Sequence, residues 1–246
     1  MSSLALTDAK ILIAGHDLSG QMNAVSLQYG ADMLDGTTFG QTTRVNTAGL
    51  KSVVASAEGF WDSSATTAVD PVLFSRVGTF ESGTSPVPVV VVPQGGTVGN
   101  VAYLFRVVHS EYAINGAVGD LLGFTVNMEG AGGQELIRGK LFHNASASGN
   151  VTGTAIQLGA VSSTQYVYAA LHVFSGSGSF VVKVQSASDQ AFTSPNDRIT
   201  FTTVATGTAV ASEWPTRVAG SISDTWWRIT ATNPATRNFA VAVGIQ

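Results

Sequence analysis

Apolar and polar residues alternate with a period of two along most of this chain. Successive side chains of a β-strand point to opposite faces, so the pattern commits the chain to strands with one buried side. The series opens at Lys10 to Gly15 (KILIAG). Ala24 to Leu34 then sets Val25, Leu27, Tyr29, Ala31 and Met33 on one face and Ser26, Gln28 and Asp32 on the other. Leu50 to Trp61 carries Ser52, Ser56 and Glu58 on its polar side. Val87 to Val92 and Val101 to His109 follow, and Leu121 to Glu129 alternates Leu122, Phe124, Val126 and Met128 against Thr125, Asn127 and Glu129. Gly130 to Gly133 reads as a turn and Glu135 to His143 as the return strand.

Two segments interrupt the alternation. Asp35 to Gly49 (DGTTFGQTTRVNTAG) is too polar for a core and longer than an ordinary hairpin connection of two to five residues, which marks it as a functional loop. Asp70 to Gly78 (DPVLFSRVG) has an Asp to accept at a helix N-cap, Pro at the first helical position, Arg76 near the negative end and Gly as a left-handed stop. It is the one helix expected.

Small polar residues and glycine displace the apolar alternation from Ala145 to Gly153 (ASASGNVTG), which places a boundary there. Beyond it come strands at Ala155 to Val161, Gln165 to Phe174, Phe180 to Ser186, Arg198 to Val204, Thr225 to Ala231 and Asn238 to Ile245. The expectation is an all-β chain: a first domain over 1–145 and a second, β-sandwich-like region over 146–246. No internal repeat relates the two parts.

Composition bears on the surface. Charged residues are 11% of the chain and hydrophobic ones 44%, against roughly 25% charged in an ordinary soluble domain. A folded chain this sparing of Lys, Glu, Arg and Asp is expected to present much of its surface to other protein. Composition alone fits a secreted bacterial β-protein equally well. Cysteine is absent, so disulfides and thiolate metal sites are excluded. Met1 to Asp8 has no basic region followed by an apolar one, so no signal peptide is expected, and synthesis in the cytoplasm is. The valine run Val89 to Val92, between Pro88 and Pro93, is far short of the ~20 residues of a membrane span. The net charge of −4 and the scattered 12 Lys plus Arg give no footprint for gripping phosphate.

Catalytic groups do not converge. His16, His109, His143 and His172 are isolated from one another, without metal-ligand spacing, and read as structural. Gly15 to Gly20 (GHDLSG) is not a nucleophile elbow, and neighbouring His16 and Asp17 point to opposite faces of a strand. Carboxylates such as Glu58 and Asp62, or Asp120 and Glu129, are spaced along strands rather than gathered in a cleft. Gly95-Gly96 and Gly130 to Gly133 lack the Lys-Ser/Thr or helix start of a phosphate cradle, and Asn144-Ala-Ser146 and Asn150-Val-Thr152 carry no weight as glycosylation sites without secretion. Neither an enzyme nor a cofactor is expected. Trp214 and Trp227 could form a sugar-stacking platform, although adjacent Trp226 and Trp227 must face opposite sides.

The run from Leu12 to Trp61 resembles the N-terminal region of the siphophage tail tube (major tail) proteins. The likeness rests on Ile13-Ala-Gly-His-Asp-Leu-Ser-Gly20, a second strand ending at Asp35, the Thr37-Thr-Phe-Gly40 loop, Gly49-Leu-Lys51 and Glu58-Gly-Phe-Trp-Asp62. The Asp70 to Gly78 helix falls where that family has its single flanking helix, and the likeness covers about 8 to 145. Gly220 to Arg228 and Phe239 to Ile245 look like endings of phage structural proteins.

The resemblance implies a tail-tube-type β-sandwich with one flanking short helix, followed by a C-terminal β-rich domain that decorates the tube or extends its wall. It implies a homo-oligomeric ring, a hexamer, stacked into a hollow tail tube in the virion, with other tail proteins as partners, transient non-adhesive DNA passage and no membrane contact. The long loop, with Asp35, Thr37, Thr38, Phe39, Gly40, Arg44, Asn46 and Gly49, would then reach the neighbouring ring. Ser26, Gln28, Asp32, Ser56, Glu58, Asn127 and Glu129 become lumen candidates, since a bore of hydroxyls, amides and carboxylates repels phosphate. A one-residue slip in register would turn them all outward. Two alternatives stand beside this: another phage shell or decoration protein, and a carbohydrate-binding β-sandwich using Trp214 and Trp227.

Overall fold

The computed structural model describes residues 6–79, 86–133, 135–232 and 235–246. Part of the N-terminal segment on which the signal-peptide reading rests, Met1–Ala5, lies outside the described residues. In chain order the strands are β1 Lys10–Ile13, β2 His16–Asp17, β3 Met22–Asp35 and β4 Asn46–Phe60, followed by the helix α1 Val69–Phe74. Then come β5 Val87–Val92, β6 Val101–Asn115, β7 Gly123–Gly130, β8 Ile137–Ala147, β9 Val151–Thr152 and β10 Ile156–Gln157. The series closes with β11 Tyr166–Gly176, β12 Val181–Ala187, β13 Asn196–Thr200, β14 Ala211–Glu213, β15 Val218–Ala219, β16 Trp226–Thr232 and β17 Arg237–Ile245. The chain is all-β, as its period of two requires.

Contacts divide it into two units, Met1–Gly20 with Val87–Leu104 and Ile137–Gln246, and Gln21–Pro86 with Phe105–Leu136. This differs from the expected division at 145/146. The small polar residues there are not a linker: Ala145, Ser146 and Ala147 continue β8 and pair with Phe239, Asn238 and Arg237 of β17. Hydroxyls and small side chains sit comfortably on a strand whose backbone is paired, so composition alone mistook strand for loop.

In the larger unit, β8, β17 and β11 form a wall with a core on each face. One face carries Val167, Ala169, Leu171, Phe239, Val241 and Val243, which pack with Val182, Val184, Trp227 and Ile229 of the five-stranded sheet β10-β16-β12-β13 with β9. The other face, with Tyr168, Ala170, Ala240 and Ala242, packs with Leu12 of β1 and Val90 and Val92 of β5. Its sheet therefore curls back on itself, and the turn after β1 returns to β11, where the Gly15 amide donates to His172 Nδ1 at 3.1 Å. Gly15 is required there: its φ is +81°, and an added Cβ would lie 2.8 Å from the Ala211 carbonyl carbon.

In the smaller unit, β3, β4, β7 and the second part of β6 form an antiparallel sheet in the order β3-β4-β7-β6. Its apolar face carries buried Ala55, Ala57, Val126 and Met128, and Val69, Val72 and Leu73 of α1 are buried in the same unit. The helix is shorter than the sequence predicts and is capped differently. Ala68 is its N-cap residue, without a side-chain cap, while the Asp70 carboxylate accepts from Trp61 Nε1 at 3.0 Å and from the Tyr112 hydroxyl at 3.2 Å. Asp70 thus ties the helix to β6 and to the residue that follows β4 instead of closing its first turn. Gly78 does adopt the left-handed conformation, with φ +64°.

Candidate functional site

The register of the sheet β3-β4-β7-β6 decides which residues share its solvent face. Ser26 lies opposite Ser56, Ser56 opposite Asn127, and Asn127 opposite Glu111. One row along, Ala24, Glu58, Thr125 and Ala113 are aligned; on the other side, Gln28, Val54, Glu129 and Val108 are. The sequence-derived set Ser26, Gln28, Ser56, Glu58, Asn127 and Glu129 is therefore brought together on one face. Between the row of Val108 and the row ending at Phe60 and Gly123, that face contains carboxylates, hydroxyls and amides and no Lys or Arg. Arg106, beyond the row of Val108, donates from its guanidinium to the Gly132 carbonyl at 3.2 Å. Asn127 Nδ2 donates to Glu111 Oε2 at 2.8 Å and Asn115 Nδ2 to Thr125 Oγ1 at 3.1 Å, which fixes the polar groups of neighbouring strands against each other.

Glu111 and Thr125 complete this face, and Glu111 escaped sequence reasoning. The ladder between β6 and β7 shifts between His109 and Glu111, so Ser110 is an extra residue and the alternation inverts after it. The signal that could have found it is the polar pair Ser110-Glu111 interrupting an otherwise regular strand.

Asp32 is exposed and lies at a second irregularity, between the pairs Ala31 with Lys51 and Met33 with Ala48. There the chain of Gly49 passes close to it; an added Cβ on Gly49 would sit 3.2 Å from the Asp32 Cβ.

The loop expected over Asp35 to Gly49 is shorter in the structure, because Asp35, Leu34 and Met33 pair with Asn46, Thr47 and Ala48. The connection itself is 36–45, at the tip of a hairpin whose arms are 14 and 15 residues long. Its base is tied by polar side chains: Asp35 Oδ1 accepts from the Thr37 amide at 2.9 Å, Thr37 Oγ1 from the Val45 amide at 3.0 Å, and the Val45 carbonyl from the Gly36 amide at 2.8 Å. Hydrogen bonds from the Thr37 side chain and backbone hold the Asp35 carboxyl below its ordinary value. Gly40 turns the tip with φ +91°, and Thr38, Phe39 and Arg44 are exposed. Polarity read correctly as exposure but not as loop: Thr47 is a strand former, and backbone pairing extends the strand through Asn46 despite its low preference for strands.

The histidines are structural parts of the strands. Burial pushes the His109 imidazole down to about 4 and that of His172 to about 3, and lowers His143, whose ring stacks on Phe239 at 4.1 Å. Among the described residues no group of three His, Asp or Glu is placed to hold a metal ion.

The proposed tryptophan platform is not formed. Trp227 is buried in the sandwich core of the larger unit, where its Nε1 donates to the Gly159 carbonyl at 2.8 Å. Trp214 is half-buried against Tyr168, with ring centres 6.2 Å apart, and packs on the second core of that unit. Trp227 cannot stack on a ligand because strand parity turns it inward and Trp226 outward.

No protein-family model and no curated protein matches the chain. Among solved structures, it is similar to a chain from the virion of a native gene transfer agent particle, at 14% identity and TM-score 0.38 over 52% of this chain and 95% of that one. It is similar to a chain from the tail of an empty gene transfer agent particle, determined with C6 symmetry, at 17% identity and TM-score 0.37 over 50% and 91%. It is also similar to the Dit protein of phage SPP1, described as a paradigm of the hub adsorption apparatus of Gram-positive-infecting phages, at 13% identity and TM-score 0.39 over 98% and 100%.

Proposed function

We propose that this chain is a non-enzymatic structural subunit of a bacteriophage-type tail, and that its sheet β3-β4-β7-β6 joins copies of itself edge to edge into hexameric rings that stack as a hollow tube. The observation that carries the reading is one sheet with two unusual properties together. Its solvent face presents Glu58, Glu111 and Glu129 among hydroxyls and amides without a cation in the paired rows. Its outer strand β3, 14 residues and about 46 Å long at 3.3 Å per residue, pairs with β4 alone among the described residues.

An unpaired edge of that length is a template for another strand, and soluble proteins blunt such edges with Lys, Pro or bulges. β3 (MNAVSLQYGADMLD) carries no Lys, Arg or Pro, and its two register shifts, between Met22 and Ala24 and between Ala31 and Met33, lie towards its ends and leave Ala24 to Ala31 as an unbroken edge. Closing the sheet into a multi-subunit barrel removes the edge and turns one face inward. The face free of cations is the one suited to a bore through which DNA slides, because carboxylates repel phosphate over about one Debye length, ~10 Å, and no Lys or Arg is present to grip it. The sequence likeness of Leu12 to Trp61 to tail tube proteins supports the same reading. The subunit would be made in the host cytoplasm and reside in the virion, with other tail proteins as partners.

Electron microscopy of the purified protein, alone and with a tail initiator complex, tests it. Rings or tubes with a central channel are expected; particles that stay monomeric under both conditions refute it. Replacing Glu58 and Glu129 by Lys is expected to leave assembly intact and to slow DNA delivery by the assembled particle. Unchanged infectivity in that variant would remove the inward assignment of the face.

A further inference from the structure

The chain has 12 Lys plus Arg, and most of them are engaged. Lys10, Lys51, Lys183 and Arg198 pair with carboxylates. Arg76, Arg106 and Arg237 donate to backbone carbonyls, and Arg217 and Arg228 lie over the rings of Tyr166 and Phe192. Among the described residues only Arg44, Arg138 and Lys140 have no such partner. Arg44 is exposed in the 36–45 connection. Arg138 and Lys140 stand two positions apart on β8 of the larger unit, on the same side of the strand and about 7 Å from each other along it.

Both line one cleft of about 320 Å³, together with Gln157 and Gln165. Among the described residues no Asp or Glu lines it. Gln165 Oε1 accepts from the Ser162 amide at 3.1 Å, so its NH2 group is what it offers to the cleft. Arginine, lysine and that NH2 group are donors only, whereas Gln157, exposed on the edge strand β10, brings a donor and an acceptor. The walls are held before anything binds. β8 is paired on both sides, with β17 and β6. On the opposite wall the Leu158 and Gly159 amides both donate to the Thr225 carbonyl at 3.2 Å, and the Gly159 carbonyl accepts from the buried Trp227. Two like charges fixed side by side repel, and an anion between them removes that cost.

We infer that this cleft binds a phosphate dianion, free or as the monoester of a small hydroxylated molecule such as a polyol phosphate. A phosphomonoester carries about −1.5 to −2 charge near neutral pH and three strong acceptor oxygens, which matches two cations and a fixed amide donor. A carboxylate, with one charge and two oxygens, leaves one cation unmatched. Arg138 supplies the planar fork that takes two phosphate oxygens at once, Lys140 the compact charge, and Gln157 a donor and an acceptor for hydroxyls. The volume falls near the lower end of the roughly 300–1,000 Å³ of small-molecule sites. Two cations are far from the basic stripe that a nucleic-acid backbone requires, so the ligand is small. The site belongs to the larger unit and does not depend on the ring assembly proposed for the sheet β3-β4-β7-β6.

Calorimetric titration of the purified chain in a phosphate-free buffer, with glycerol 3-phosphate, inorganic phosphate and polyglutamate as probes, tests it. Glycerol 3-phosphate is expected to bind, and Arg138→Gln and Lys140→Gln are each expected to weaken it about tenfold, the loss of one charge-assisted hydrogen bond. Arg138→Lys, which keeps the charge and loses the fork, is expected to fall between. Both side chains lie outside the cores, so an unchanged Tm in each variant separates lost binding from lost fold. Inorganic phosphate binding as tightly as glycerol 3-phosphate, and weakened by the same variants, supports the site and makes the free ion its ligand; tighter binding of glycerol 3-phosphate makes it the monoester. No binding of either at millimolar concentration, or binding unchanged in the double variant, overturns the assignment. Polyglutamate binding more tightly than both overturns it in favour of an acidic protein partner.

Discussion

Replacing Asp70 by Ser separates two accounts of the helix α1. If Asp70 served as the N-cap that its position before Pro71 suggests, Ser would substitute with little loss, since the two residues rank together there. In the structure the carboxylate instead accepts from Trp61 Nε1 at 3.0 Å and from the Tyr112 hydroxyl at 3.2 Å, and a Ser side chain is too short to reach both. Hydrogen bonds to a charged acceptor contribute about 1.5–3 kcal/mol each, so losing two and leaving the donors half-buried is expected to cost about 3–5 kcal/mol. The Tyr112 ring is itself held: it stacks on Phe124 at 6.0 Å and meets the edge of Phe74 of the helix at 6.3 Å, so it cannot turn easily to another acceptor. Urea unfolding of Asp70→Ser, Trp61→Phe and the double variant, followed by near-ultraviolet circular dichroism, gives the coupling. A value of about 1.5 kcal/mol or more between Asp70 and Trp61 is expected. Asp70→Ser within about 0.5 kcal/mol of the native protein, with no coupling, would refute the bridge and restore the cap.

Two more outcomes follow from buried groups. His172 and His109 are held neutral with depressed pKa values, so below the ordinary His value of 6.5 the unfolded chain binds protons that the folded one does not; stability is complete above that pH and is lost as pH falls towards about 4 for His109 and about 3 for His172. Each buried His then costs about 1.4 kcal/mol per pH unit, and His172→Asn, which keeps an acceptor for the Gly15 amide, should reduce the slope of stability against pH between 6 and 4 by about one proton; an unchanged slope contradicts the burial argument. Trp227→Ala removes a fully buried indole and the donor to the Gly159 carbonyl, so a loss of about 3–5 kcal/mol and a drop in Tm of roughly 6–20 °C are expected. A folded, stable variant that had lost only glycan binding would instead return Trp227 to the surface.

The alternation of β3, β4 and β7 made their faces legible from sequence, because parity is a local property: with Val25 and Leu27 half-buried on one side, Ser26 and Gln28 fall on the other, exposed side. Bulges defeat the same rule. The extra residue at Ser110 reverses parity and hid Glu111, and the shift near Asp32 leaves that residue beside the Gly49 backbone rather than in a regular row. Residue type also misled where a backbone pairing compensates for polarity, as in Thr47 to Gly49 and Ala145 to Ala147, both of which continue strands.

Parity names faces but not partners, and partners decide domains. β1 finds β5, some eighty positions on, and β8 finds β17, with Gly139 opposite Gly244 and Ala147 opposite Arg237. No local composition marks such pairings, so a boundary drawn through the chain in sequence order could not reproduce units whose segments interleave. One further signal is present in the sequence. Tyr166–Gly176, from Val167 to Val173, and Arg237–Ile245, from Phe239 to Gly244, carry unbroken buried runs with little alternation. A strand apolar on both sides must have a core on both sides. Those runs were therefore already evidence for a wall between two cores in the larger unit, just as the clean alternation of β3, β4 and β7 was evidence for a sheet with one face left to water or to another copy of the chain.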